Sequence, residues 1–251
     1  MSAQASETAL HTALWHEEPE AGDPFAARQA LCRGYDVAGE LVGHASWAEM
    51  LLLLWRGEKP PAADARLLEA LAVALANAGP RDPAVHAAMC GAVGGSPAAA
   101  CLVAALSVGA GRLGGGQELA LAVQAWQRCG TRLAAWQDML GNPPPHPPSI
   151  WPEAEHPPVF DAPGKLCAGT VVQALAALAQ ASPGPHLPWL HTHRDRREAC
   201  AGRPLAITGV AAAAMVDLGL APDAAEMLWL LLRLPGAAAH ALEQRLAYKR
   251  F

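Results

Sequence analysis

From Asp36 onward, apolar residues recur at the three-to-four spacing of a helix face, and turn residues punctuate them. The clearest start is Ser46-Trp47-Ala48-Glu49, a capping box that opens the run Met50 to Trp55; Gly57 supplies a stop and Pro60 prevents continuation. Leu67 to Ala78 repeats Leu and Ala at helical spacing and ends at Gly79-Pro80. Ala84 to Gly91 and Ala98 to Ala110 predict two Ala-rich helices joined through Gly94, Gly95 and Pro97, and Leu119 to Leu140 reads as one amphipathic tract. Between Gly141 and Pro163 nine of 23 residues are proline, so an extended loop is expected there. Helical pattern resumes at Lys165 to Ala181, breaks at Pro183 to Pro188, and passes through the charged segment Arg194 to Glu198. Two helices close the chain, one from Pro222 to Leu234 and one from Ala237 to Arg250, separated by Pro235-Gly236. No useful stretch alternates, so the expected fold class is all-α.

Composition agrees with that reading. Hydrophobic positions make up 52% of 251 residues, yet there are only 8 Trp, 2 Tyr and 3 Phe, so the apolar mass is Ala and Leu, a helical rather than a sheet composition. A net charge of −5 and the absence of a long basic run argue against nucleic acid as a partner. Pro83 to Gly111 carries no Asp, Glu, Lys or Arg, but its alanines, five glycines and Pro97 fit a buried helical hairpin better than a membrane span. The six cysteines form no CxxC pair and read as reduced, small core residues. Glu17, Glu18 and Glu20 stand where a signal peptide needs a basic start and an apolar stretch, so a cytoplasmic location is expected.

Several chemical motifs are weak on inspection. Gly109-Ala110-Gly111-Arg112-Leu113-Gly114 satisfies GxGxxG, but the preceding residues have helical rather than strand composition, so a helix end and tight turn fit better than a dinucleotide site. His186, His191, His193 and Cys200 match no standard zinc spacing, and no metal is expected. No serine sits in a GxSxG elbow. His44, His156 and His240 are each more typical of structural histidines by residue type. Arg233 differs, because it ends the apolar run Met227 to Leu234 and an arginine there needs an anionic partner, either a nearby Glu or a carboxylate substrate.

Four segments together resemble the citrate synthase superfamily, in particular its short members related to citryl-CoA lyase. They are Arg33-Gly34-Tyr35-Asp36 through Gly57-Glu58-Lys59-Pro60, then Gly79-Pro80-Arg81-Asp82-Pro83 through Gly111, then Ala206 to Leu220, and finally Arg233 to Gly236 with Ala239-His240 and Glu243-Gln244. The resemblance implies a large helical domain of residues 1–113 and 208–251 and a cleft-closing small domain of 114–207. It also implies condensation or cleavage of a carbon–carbon bond between an acyl-CoA and an oxoacid. In that chemistry a carboxylate takes the thioester α-proton, one histidine stabilises the enol oxygen and a second donates to the carbonyl. No bound cofactor is implied; a coenzyme A thioester enters as substrate.

Carried over residue by residue, the resemblance implies a depleted site. Glycine stands at position 114, where the Gly-x-Leu-His-Gly-Gly turn of the family has its first histidine, and Thr208 stands at the aspartate of an Asn-Val-Asp-Gly turn. His156 retains the second histidine, the arginine of the following Asp-Pro-Arg is replaced within Asp161-Ala162-Pro163, and Arg233 and His240 retain the substrate-binding signature. A neutral hydroxyl does not take a carbon-bound proton at pH 7 as a carboxylate does. Three readings follow. One is an active enzyme whose missing groups come from Arg112, Gln117, Glu118 or a partner subunit. Another is an inactive homologue serving as a binding or regulatory subunit, as a homodimer or a heteromer with an active homologue. The third is an unrelated helical scaffold.

Overall fold

Both halves of the capping box form. Ser46 Oγ accepts from the Glu49 amide at 3.2 Å, and the Glu49 carboxylate accepts from the Ser46 amide at 2.7 Å. The resulting helix α1 (Trp47–Arg56) ends at Gly57, whose φ of 82° is a left-handed stop that costs little without a Cβ. The computed structural model describes residues 12–142, 157–161 and 163–247. Its chain divides into two compact units, residues 1–65 and 66–251.

In the first unit, α1 is preceded by an antiparallel sheet in the order β1 (Trp15–Glu20), β2 (Asp23–Cys32), β3 (Tyr35–Asp36). Sequence pattern gave no sign of it, because β1 reads Trp-His-Glu-Glu-Pro-Glu and is exposed on both faces, leaving no alternation to detect. Main-chain pairing holds it, from Trp15 opposite Cys32 to Glu20 opposite Asp23, with irregular register around Pro19, whose missing amide suits an edge strand. Arg33 and Gly34 link β2 to β3 with φ of 54° and 87°, the signs a two-residue type I′ hairpin requires. Arg33 also donates to the Leu54 carbonyl at 3.0 Å. Asp36 accepts from the Gly39 and Ala38 amides and from Gln29, and those bonds, led by Gly39, hold its carboxyl below the usual range. The Arg33 to Asp36 motif is therefore a turn and a cap. Cys32, Leu41 and Leu53 form the small core of this unit.

Helix α2 (Ala62–Leu75) leads into the second unit, which continues with α3 (Pro83–Val93), α4 (Ala98–Gly109), α5 (Gly116–Cys129) and α6 (Leu133–Gly141), then α7 (Gly169–Ala181), α8 (His186–Ala201), α9 (Ile207–Asp217) and α10 (Pro222–Ala247). Every residue of α9 from Thr208 to Met215 is buried. That explains its apolar composition on all sides, as expected for a helix enclosed by others. The charge-free segment folds as the hairpin α3–α4, packed on α10 through Ala84, Ala88, Ala92, Ala105, Ala237 and Ala241. No described helix is long and apolar enough to cross a membrane.

Three helix boundaries differ from expectation. The tract Leu119 to Leu140 is two helices, divided at Gly130, whose φ is 52°. Conversely, Pro235 does not end a helix: α10 runs through it for 26 residues. Burial on both sides, by Leu228, Trp229 and Leu232 before and Ala237 and Ala241 after, outweighs the lost amide. Pro188 lies in the first turn of α8, where proline is tolerated, so His191 and His193 are helical rather than on a loop. All six cysteines are free; Cys32, Cys101 and Cys129 are buried as expected, but Cys90 and Cys200 are exposed.

Candidate active site

The glycine-rich motif is a helix–turn–helix junction. Gly109 ends α4 and Gly116 begins α5. A Cβ on Gly115 would lie 2.4 Å from the Gly111 carbonyl oxygen, so the turn closes only with glycine there. Gly114 has a φ of 67° with open space where a Cβ would stand. A side chain at this position would start in open space but in a left-handed backbone that L side chains adopt at a cost.

One turn into α5, Glu118 is 2% exposed and binds both positions that the resemblance singles out. Its Oε2 accepts from the Gly114 amide at 2.5 Å. Its Oε1 accepts from the Val159 amide at 2.6 Å and from the Thr208 hydroxyl at 3.4 Å. Thr208 opens α9 and is itself 2% exposed. Three chain segments that are far apart in sequence thus meet at one carboxylate. Val159 pays for the meeting with a φ of 72°, unusual for a β-branched residue. Its carbonyl accepts from Ala206 at 2.9 Å, and Phe160 bridges Leu205, which fastens this segment to the start of α9.

Arg233 reaches the same junction from α10. One guanidinium nitrogen donates to the Gly114 carbonyl at 3.3 Å and another forms an ion pair with Asp82, while the group lies 4.4 Å from the Trp229 ring centroid. The expected anionic partner is therefore Asp82 rather than a Glu. Asp82 also caps α3 through the Ala84 and Val85 amides at 3.0 and 3.2 Å. The cavity beside Arg233, lined by Asp82, Gly109, Trp229 and Leu230, measures about 10 Å³. That is room for about one water and not for a carboxylate.

Of the remaining expected residues, His240 lies about two helical turns beyond Arg233. Its ring contacts Asn77 Oδ1 at 3.1 Å and Glu243 at 3.6 Å. His156 and most of the proline-rich segment lie outside the described residues. Among the described residues no three His, Cys, Asp or Glu side chains converge as metal ligands. Gly114, Thr208 and Arg233 are brought together; Glu118, which sequence offered only as one of several stand-ins, is what joins the first two.

Comparison with solved structures decides the fold. Citryl-CoA lyase from Hydrogenobacter thermophilus superposes with a TM-score of 0.73 at 19% identity, over 96% of this chain and 90% of that one. The fold is that of citryl-CoA lyase. ATP citrate lyase from Methanothrix soehngenii, solved with citrate and coenzyme A, matches with a TM-score of 0.72 at 18% identity. A variant of ATP citrate lyase from Methanosaeta concilii, solved with (3S)-citryl-CoA, matches with a TM-score of 0.71 at 18% identity. This chain spans 40% of the length of each ATP citrate lyase, with 97% of its own length aligned. No protein-family model and no curated protein sequence matches the chain. The citryl-CoA lyase fold bears out the sequence resemblance in architecture and leaves the chemistry to be argued from the residues.

Proposed function

We propose that this citryl-CoA lyase-like chain no longer forms or breaks carbon–carbon bonds and serves as a binding or regulatory subunit. The observation that carries this reading is Glu118. A general base needs a free lone pair facing the proton it removes. Each Glu118 oxygen is instead engaged by a main-chain amide, Gly114 on one and Val159 on the other, and the side chain is buried, so no lone pair faces an open cleft. Arg233, the group suited to grip an oxoacid carboxylate, is already paired with Asp82. In this reading the segment 114–207 descends from a cleft-closing domain against 1–113 and 208–251, and the ancestral ligands are an acyl-CoA and a small oxoacid.

The association this role requires is with a second copy or an active homologue. Val103 and Met227, 59% and 60% exposed, support an apolar contact surface on α4 and α10.

A second reading draws on the same carboxylate. Glu118 bonds to Gly114 and Thr208, where the resemblance puts the first histidine and the aspartate, so it is a carboxylate available to replace the missing base. Turnover separates the two. Purified full-length protein is mixed with acetyl-CoA or propionyl-CoA plus oxaloacetate and free thiol is followed, and separately with citryl-CoA, where the oxaloacetate and acetyl-CoA formed by cleavage are followed. The inactive reading expects no product above buffer in either direction; steady turnover that Glu118→Gln abolishes overturns it in favour of the second.

A further inference from the structure

The charged segment of α8 hides a buried cation. Arg194 faces outward to Asp195 and Glu198, whereas Arg197 is 1% exposed. Its guanidinium carbon lies 3.9 Å from the Trp136 ring centroid, 5.1 Å from that of Trp126 and 5.8 Å from that of Phe160. Among the described residues Nε, Nη1 and Nη2 have no hydrogen-bond partner. The Trp136 indole N–H is itself a donor, to the Gly130 carbonyl, and accepts nothing from a guanidinium. The nearby Cys129 thiol is pushed up by burial and so carries no compensating charge at neutral pH.

A guanidinium stripped of water and left without an anion is costly, and ring contacts offset only part of its lost hydration. Burial pushes its pKa down to about 9, which still leaves it protonated at neutral pH. Trp126 and Trp136 stand at 72° to each other around the guanidinium, and its N–H donors, which lie in the plane of the fork, meet no acceptor among the described residues. A carboxylate or phosphate meets two such donors side by side.

We propose that Arg197, within the Trp126, Trp136 and Phe160 cage, is the receptor for a small oxyanion, a carboxylate or a phosphate bound edge-on to its guanidinium. Because Arg197 is buried, access requires the cage to open, and binding is read at equilibrium. The site adjoins the Glu118 junction through the consecutive residues Val159 and Phe160, but it does not depend on whether thioester chemistry survives.

The test uses full-length protein with sodium phosphate or sodium citrate, each compared with sodium chloride at equal ionic strength. Trp126 and Trp136, two of the eight tryptophans, let intrinsic fluorescence respond to the cage, with Arg197→Met as the control for the other six, and the urea midpoint is a global reporter. The expected result is a saturable change in both with at least one oxyanion, and the anion that saturates at lower concentration fixes the class. Arg197→Met, which keeps an apolar side chain of similar reach, removes the response. Arg197→Lys, which keeps the charge but loses the fork, weakens binding by about tenfold, the size of one lost charge-assisted hydrogen bond. Wild-type protein that responds to neither oxyanion beyond chloride overturns the proposal, whatever the variants do. So does an undiminished response in Arg197→Met or Arg197→Lys, because the anion then binds elsewhere.

Discussion

Replacing Glu118 by Gln tests whether that carboxylate holds the junction together. The carboxamide has nearly the same shape, so packing is preserved while the acceptors change. Its oxygen can serve one of the two amides, from Gly114 or Val159, and its NH2 group then faces the other. A buried amide left without an acceptor costs about 1–3 kcal/mol, and the surviving bond, no longer charge-assisted, weakens by about 1 kcal/mol. Removing a buried charge returns part of that sum, so a net loss of about 2 kcal/mol is expected. Glu118→Ala, which orphans both amides and leaves a cavity, should lose about 3–5 kcal/mol. Urea unfolding at pH 7 measures both changes; in a thermal scan the Gln variant should melt about 4–8 °C lower. Hydrogen exchange adds a local check, because the Gly114 and Val159 amides should lose protection ahead of the amides of α5. A Glu118→Gln protein as stable as wild type, with those amides still protected, would refute the bracket.

Other expectations follow from the same physics. Arg197→Met should be as stable as wild type or about 1–4 kcal/mol more so in chloride buffer, since it removes an uncompensated buried charge. The gain should depend on pH in a defined sense. Burial lowers the Arg197 pKa to about 9, so above that value the unfolded chain holds a proton that the native one has released, and wild-type stability rises with pH there. The advantage of Arg197→Met should therefore be full below pH 9 and shrink above it, as urea midpoints at pH 8 and pH 10.5 will show. Ser46→Ala removes one half of the α1 capping box and should cost about 1 kcal/mol by the same assay. Gly236→Ala would set a Cβ 2.4 Å from the Ala76 carbonyl oxygen, forcing α10 away from that backbone. A loss of about 1–3 kcal/mol is expected, and a neutral result would show that the approach is looser than the geometry requires.

Much of the helical scaffold could be read from sequence because its signals are local. The Ser46 and Glu49 pair, the left-handed Gly57 and the proline at the start of α3 each act within a few residues. What escaped was set by tertiary contact. The β1–β2 hairpin is held by main-chain bonds, and the Trp-His-Glu-Glu-Pro-Glu sequence of β1 leaves no hydrophobic period. Pro235 reads as a break, and only the burial of Trp229 on one side and Ala237 on the other carries α10 through it.

The candidate site divides in the same way. The family resemblance singled out positions 114, 208 and 233. It could not reveal that Glu118 spans 90 residues of sequence to reach Thr208, or that Asp82 takes the arginine from α10. Nor could a charged run reveal which arginine turns inward; Arg197 differs from Arg194 and Arg196 only in the face of α8 it occupies.

The central claim is that no group at this junction removes an acyl α-proton. Exchange of the acetyl-CoA methyl protons in D2O, followed by proton NMR with full-length protein and saturating oxaloacetate, tests that step without requiring a complete turnover. The account predicts loss of methyl signal no faster than in buffer. Exchange that depends on the protein and disappears in Glu118→Gln would contradict it, because Glu118 would then be a working base.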